Sequence, residues 1–113
     1  MSQITSHILD TALGSPAAGV TITLYQRDGD GWAKIGSGLT NDDGRIPNLC
    51  PASEVLPGGT YRLHFATGAY FDAINAPVFY PWVEVVFHVD GGGQHYHIPL
   101  LLSPFGYSTY RGS

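Results

Sequence analysis

The chain has one cysteine, five lysines and arginines in 113 residues, and no apolar run near the ~20 residues of a membrane-spanning helix. The single Cys50 cannot close an intramolecular disulfide. The start, Met1-Ser2-Gln3-Ile4-Thr5-Ser6, lacks the basic residue and apolar stretch of a signal peptide, so a reducing, cytoplasmic setting is expected. Within Asn48-Leu49-Cys50-Pro51, Cys50 reads as a small buried apolar residue rather than a nucleophile, since no histidine stands near it in sequence. Nine acidic residues outnumber the five basic ones, and no lysine or arginine cluster exists, so the electrostatic footprint for nucleic acid is missing. Neither nucleic acid nor membrane is an expected partner. A net charge of −4 beside a hydrophobic fraction of 43% excludes a disordered chain. There is no internal repeat, low-complexity tract or linker, and residues 1–113 are read as a single domain that buries roughly 65% of its unfolded surface.

What the chain has in quantity is punctuation: 15 glycines and 8 prolines. Gly14-Ser15-Pro16, Asp28-Gly29-Asp30-Gly31, Asn41-Asp42-Asp43-Gly44, Pro57-Gly58-Gly59 and Asp90-Gly91-Gly92-Gly93 cut it into strand-sized pieces. Val20, Ile22 and Leu24 alternate with Thr21, Thr23 and Tyr25, and Tyr61, Leu63 and Phe65 alternate with Thr60, Arg62 and His64, the period of two of half-buried strands. Similar patterns cover Ile4 to Asp10, Trp32 to Gly36, Trp82 to Val89, Gln94 to Leu102 and Tyr107 to Arg111, with a short strand at Arg45-Ile46. The spacing is that of an all-β sandwich or barrel. Ala69 to Ala76 is the one expected helix, with Tyr70, Ala73 and Ile74 forming its packing face. The Gly91-Gly92-Gly93 run is expected to be a hairpin loop. It is not a phosphate-binding loop, because a strand pattern rather than a helix follows it.

Five histidines in so weakly charged a chain concentrate groups able to exchange protons near neutral pH. His64 and His88 lie in strand patterns and read as solvent-facing or hydrogen-bonded structural residues. His7 shares a strand face with Thr5 and Leu9, opposite Ile4, Ser6 and Ile8. His95 and His97, two apart, share a face opposite Tyr96, Ile98 and Leu100. Such a pair suits metal ligation, catalysis with a supporting neighbour, or a plain polar face. No further histidine, cysteine or carboxylate at short spacing completes a zinc set, and no metal is expected. The Asp43-Gly44-Arg45 turn reads on its own as a hairpin turn with a solvated arginine, and Tyr107 to Ser113 reads as a strand-like tail.

Taken together, Ser6-His7-Ile8-Leu9-Asp10-Thr11, Asn41-Asp42-Asp43-Gly44-Arg45, Phe79-Tyr80-Pro81-Trp82-Val83-Glu84-Val85-Val86-Phe87, His95-Tyr96-His97-Ile98-Pro99-Leu100-Leu101-Leu102-Ser103-Pro104 and the ending Tyr110-Arg111-Gly112-Ser113 closely resemble the transthyretin-related 5-hydroxyisourate hydrolases of purine catabolism. The resemblance spans essentially the whole chain. It implies an all-β, transthyretin-like sandwich of two four-stranded sheets with one short helix, assembled as a homotetramer, a dimer of dimers with sites between the dimers. The implied reaction is hydrolysis of 5-hydroxyisourate, the product of urate oxidation, to 2-oxo-4-hydroxy-4-carboxy-5-ureidoimidazoline, without a cofactor. His7, Arg45, His97 and Ser113 are the implied catalytic residues. The implied substrate-binding set adds Tyr110, Arg111 and Gly112. The rival reading is a small-molecule carrier of the transthyretin type, against which the polar His7, Arg45 and His97 argue through their desolvation cost in an apolar channel.

Overall fold

Period-two patterning becomes two-sided strands. Ile4, Ser6, Ile8 and Asp10 are buried while Thr5, His7 and Leu9 between them are half-exposed. The computed structural model describes residues 2–51 and 54–113; Met1, Ala52 and Ser53 lie outside the described residues. The elements in chain order are β1 (Ile4–Asp10), β2 (Ser15–Pro16), β3 (Thr21–Asp28), β4 (Gly31–Leu39), β5 (Arg45–Ile46), β6 (Gly59–Phe65), α1 (Thr67–Ala73), β7 (Val83–Val89), β8 (Tyr96–Ser103) and β9 (Gly106–Thr109). One sheet runs β2-β1-β8-β9 and the other β4-β3-β6-β7. The edge beside β1 is shared: β2 pairs with Leu9 and Asp10, and β5 pairs with Ser6 and His7. Two short segments therefore fill one strand position, and the expected pair of four-stranded layers holds with β5 as a fifth member. Between the layers lie Ile4, Ile8, Ile22, Leu24, Tyr61, Leu63, Phe65 and Leu100, all fully buried. Cys50 is buried as expected, with its sulfur 2.9 Å from the Ser2 hydroxyl.

Three expectations need correction. Gly91-Gly92-Gly93 is not a hairpin loop, because β7 belongs to one sheet and β8 to the other, so the turn carries the chain across the sandwich. Glycines, turn length and flanking strands are the same in both cases; only the pairing partner differs. Asp90 organises the crossing by accepting the Gly92 N–H at 2.8 Å, while Tyr96 Oη accepts the Asp90 N–H at 3.0 Å. The helix starts and ends earlier than expected, and its buried residues are Thr67, Gly68, Tyr70 and Phe71, whereas Ala73 and Ile74 are exposed. Its seating is set at its start, where Gly68 N–H donates to Pro81 O at 2.9 Å. A Cβ on Gly68 would stand 2.5 Å from that same oxygen. The last strand stops at Thr109 rather than at Arg111, for a reason that bears on the site below.

The helix is tied to β1 by a buried polar contact. Tyr70 Oη donates to Asp10 Oδ2 at 2.7 Å, and Asp10 Oδ1 accepts the N–H groups of Ala12 and Leu13 at 3.0 Å. The buried carboxylate is thereby satisfied on both oxygens. Burial, then the bond to Asp10 and its negative charge, pushes the Tyr70 hydroxyl well above the usual tyrosine range. Because the folded state holds this proton more tightly than the unfolded chain, the contribution is complete below about pH 10 and is lost as pH rises further. Tyr70→Phe is expected to lower stability by about 1–3 kcal/mol at neutral pH. Its urea midpoint should also fall less steeply than the parent's between pH 9 and 11, and parallel curves for the two proteins would contradict this account.

Candidate active site

The site is built on the outward face of β1 and its two neighbours. In antiparallel β5, Arg45 is the register partner of His7, and in parallel β8, His97 is the partner of Thr5. Partners in register project to the same side, and residues two apart on a strand are about 7 Å apart, so Arg45–His7 and Thr5–His97 form two adjacent rows. Arg45 is presented by a closed turn in which Asn41 Oδ1 accepts the N–H groups of Asp43 at 3.0 Å and Arg45 at 3.1 Å. Gly44, at φ +73°, completes the turn, and its carbonyl accepts the Ile8 N–H at 2.8 Å. A Cβ there would stand 2.4 Å from Ile8 O, so this left-handed position takes glycine for two reasons. The hairpin expected at Asp43-Gly44-Arg45 is instead a turn that delivers β5 to β1, away from the sheet that β4 occupies.

The tail reaches the site through an interrupted ladder. Leu100 pairs with Thr109, and His97 bridges Gly112 in the same antiparallel register. Pro99 has no N–H to offer the intervening residues, so pairing lapses at Tyr110 and Arg111. Thr109 Oγ1 donates to Pro99 O at 2.7 Å, and pairing resumes where Gly112 N–H donates to His97 O at 2.8 Å. Gly112 crosses directly over the imidazole: a Cβ on it would be 2.6 Å from His97 Cδ2 and 3.2 Å from Pro99 Cγ.

A cleft of about 230 Å³ results, lined by Thr5, Arg45, His95, His97 and Ser113 among others. His97 Nδ1 lies 2.8 Å from Thr5 Oγ1, and His95 Nε2 lies 2.9 Å from the same oxygen. Burial holds the His97 imidazole below the ordinary histidine range, and the charges of Arg45, His95 and His7 hold it lower still. At neutral pH this ring is a neutral base with one nitrogen committed to Thr5. His7 stands in the adjacent row rather than against the cleft wall, near enough for its charge to be felt at His97.

Arg45, His97 and Ser113 are thus brought together, with Gly112 packed on His97 and His7 alongside. Tyr110 and Arg111 are not. They border a second cavity of about 330 Å³ with Val85, Phe87 and Ile98, and the Arg111 guanidinium sits 4.7 Å from the Tyr96 ring centre. Thr5 and His95 are site residues that the motifs left unassigned. Their signal was the shared face: Thr5 is two before His7, and His95 two before His97. His64 is structural as read, 3.1 Å from Glu84 Oε2.

A family model described as the HIUase/Transthyretin family matches residues 4–112. The chain belongs to this family. A probable 5-hydroxyisourate hydrolase of Caenorhabditis elegans is 52% identical over 112 residues, 99% of this chain and 82% of that protein. Among solved structures, 5-hydroxyisourate hydrolase of Klebsiella pneumoniae superposes with a TM-score of 0.84 at 36% identity, covering 97% of this chain and 98% of that one. Sea bream transthyretin in complex with thyroxine superposes with a TM-score of 0.91 at 37% identity, covering 98% and 95%. Backbone similarity alone therefore does not separate the hydrolase and transthyretin members of the HIUase/Transthyretin family. Arg45→Gln removes the positive charge that disfavours imidazolium at His97, so the His97 titration midpoint followed by NMR should move up toward that of a free histidine. An unmoved midpoint would show that Arg45 does not act on the ring.

Proposed function

We propose that this chain hydrolyses 5-hydroxyisourate to 2-oxo-4-hydroxy-4-carboxy-5-ureidoimidazoline, in urate breakdown, using water and no cofactor. The observation that carries the reading is the meeting of a neutral imidazole, a guanidinium and a hydroxyl, from His97, Arg45 and Ser113, in one cleft of a chain from this family. His97 Nε2 takes a proton from water, and the hydroxide attacks the ring carbonyl. Arg45, a planar fork of donors, holds the carbonyl edge and faces the tetrahedral oxyanion. The carbon–nitrogen bond then breaks, the leaving nitrogen takes up the proton to complete the ureido group, and the new carboxylic acid loses its own proton to solvent. His7, flanking Arg45, orients the substrate, and Ser113 holds the water or the substrate with its hydroxyl.

The reading extends to a homotetramer, a dimer of dimers with the clefts at the dimer–dimer interface, over residues 1–113 as one hydrolase domain. In its support, β7 and β9 each pair on one side only among the described residues, and Phe79, Trp82, Val86 and Phe105 are exposed. Unpaired edges and exposed apolar side chains of this kind favour association. Arg111 then braces the tail on Tyr96, and Tyr110, 57% exposed, is offered to a neighbouring copy. The buried, unpaired thiol of Cys50 agrees with a cytoplasmic setting.

The test is the ultraviolet decay of 5-hydroxyisourate, freshly made from urate and urate oxidase, with catalytic amounts of protein. Decay should accelerate well above the spontaneous rate, and His97→Ala or Arg45→Ala should each slow it by about 100-fold or more. Spontaneous decay in the presence of the folded parent protein would overturn the reading in favour of a transthyretin-type carrier.

A further inference from the structure

One hydroxyl stands between two imidazoles. Thr5 Oγ1 is 2.8 Å from His97 Nδ1 and 2.9 Å from His95 Nε2, and the two rings lie nearly parallel, 19° apart, with centres 6.4 Å apart. A threonine hydroxyl has one proton to give and can accept from others, while a neutral imidazole has one N–H and one lone pair. Thr5 can therefore donate to only one of the two rings at a time, and the other ring must donate to it. The tautomer of His97 is thus tied to the protonation of His95 through a single atom.

We propose that Thr5 is a positioning residue that links His97 to His95 in a proton relay, so that the charge generated at the half-buried ring is carried to the exposed one. The inference rests on the reading of His97 as the base that activates water. In the resting state His97 Nδ1–H donates to Thr5 Oγ1, Thr5 O–H donates to the His95 Nε2 lone pair, and His97 Nε2 is unprotonated. When Nε2 takes a proton from water, the Nδ1–H bond breaks and that proton passes to Thr5 Oγ1. The original Thr5 proton passes to His95 Nε2, which becomes imidazolium. His97 is then again neutral, now with Nε2–H facing the substrate and Nδ1 accepting from Thr5. As Nε2–H protonates the leaving nitrogen, reversal of the other two transfers returns the relay protons to Thr5 Oγ1 and His97 Nδ1, and the proton taken from water stays on the product.

The surroundings give the transfer its direction. His97 faces Arg45 from β5, His7 from β1, His95 from just ahead of β8 and Ser113 from the tail, and it is half-buried; burial and the charges of Arg45, His95 and His7 oppose a cation on it. His95 is exposed, and water can solvate its charge. A hydroxyl at position 5 thus lets His97 act as base and then acid without keeping the charge on its own half-buried ring.

Thr5→Val keeps the shape and β-branching and removes only the hydroxyl. In the intact protein it should leave KM within about threefold and lower kcat by about 10- to 100-fold, the scale of a lost proton-transfer partner. Thr5→Ser should restore most of the rate. His95→Ala should match Thr5→Val, and the double variant should be no slower than either, because both changes break one relay. Nitrogen-15 shifts of the His97 ring should change from one dominant tautomer in the parent to a mixture in Thr5→Val. Parental kcat and an unchanged His97 tautomer in Thr5→Val would overturn the relay, as would a Thr5→Ser variant as slow as the valine. Failure of the underlying reading is distinct: His97→Ala would then retain activity whatever the Thr5 variants do.

Discussion

Everything in this molecule is arranged around the parallel pairing of β1 with β8, seven residues in register from Ile4 opposite Tyr96 to Asp10 opposite Leu102. Parallel neighbours cannot be joined by a tight turn, so the chain between them must leave the sheet and return. It does so by building the opposite layer and crossing back at Gly91-Gly92-Gly93. The register is held from the buried side by Ser6, whose hydroxyl donates to Ile98 O at 2.7 Å, and by Asp10 at the far end through Tyr70. A slip of one residue would turn Thr5 and His7 into the core and bring Ile4 and Ile8 to the surface. Core and chemistry therefore stand or fall on the same alignment.

The cleft forms where regular pairing stops. On one side of β1 the neighbouring position is divided between β2 and β5, and the turn that starts β5 sets Arg45 beside His7. On the other side Pro99 interrupts the β8–β9 ladder, and pairing resumes only where Gly112 returns to His97. Unbroken strands in both places would cover this face with main chain and ordinary side chains. A short edge segment and a proline in a central strand, each unfavourable for a sheet taken alone, here open room for a small polar molecule.

How much of this was legible in the amino-acid order follows from which forces are local. Alternation in Ile4–Asp10, Thr21–Asp28 and Gly59–Phe65 reports burial of one face, a property each strand expresses alone, and its inward and outward residues are as read. The partner of a strand is not local, which is why the glycine run before β8 looked like a hairpin. The helix face was misplaced because a seven-residue helix carries too little periodicity to overrule its anchors, and the Tyr70–Asp10 bond and the seat of Gly68 under Pro81 decide it. Motif resemblance supplied Arg45, His97 and Ser113 together, which no spacing argument could join. It could not show that Tyr110 and Arg111 border a different cavity, because that follows from the bridge of Gly112 to His97, which sets Arg111 opposite the buried Ile98 and is a pairing the sequence does not announce. Thr5 went unassigned because a threonine on a strand is ordinary until two imidazoles are seen to share it.

The close superposition on a thyroxine-bound transthyretin and on a hydrolase has a physical basis in the same alternation. In β1 and β8 the residues that pack the sandwich are Ile4, Ile8, Tyr96, Ile98 and Leu100, while Thr5, His7 and His97 occupy the intervening outward positions and His95 stands just ahead of β8. Changing an outward residue leaves the core contacts untouched, so the face of such a sheet can exchange an apolar lining for titrating groups without moving the backbone. Desolvation then sets the terms. Placing Arg45 and three histidines on one face weakens the case for an apolar guest and strengthens that for a polar, acceptor-rich one. Burial, with the charges of Arg45, His95 and His7, opposes a proton on His97, which keeps that ring neutral and available to accept one at the pH where water alone is a poor nucleophile.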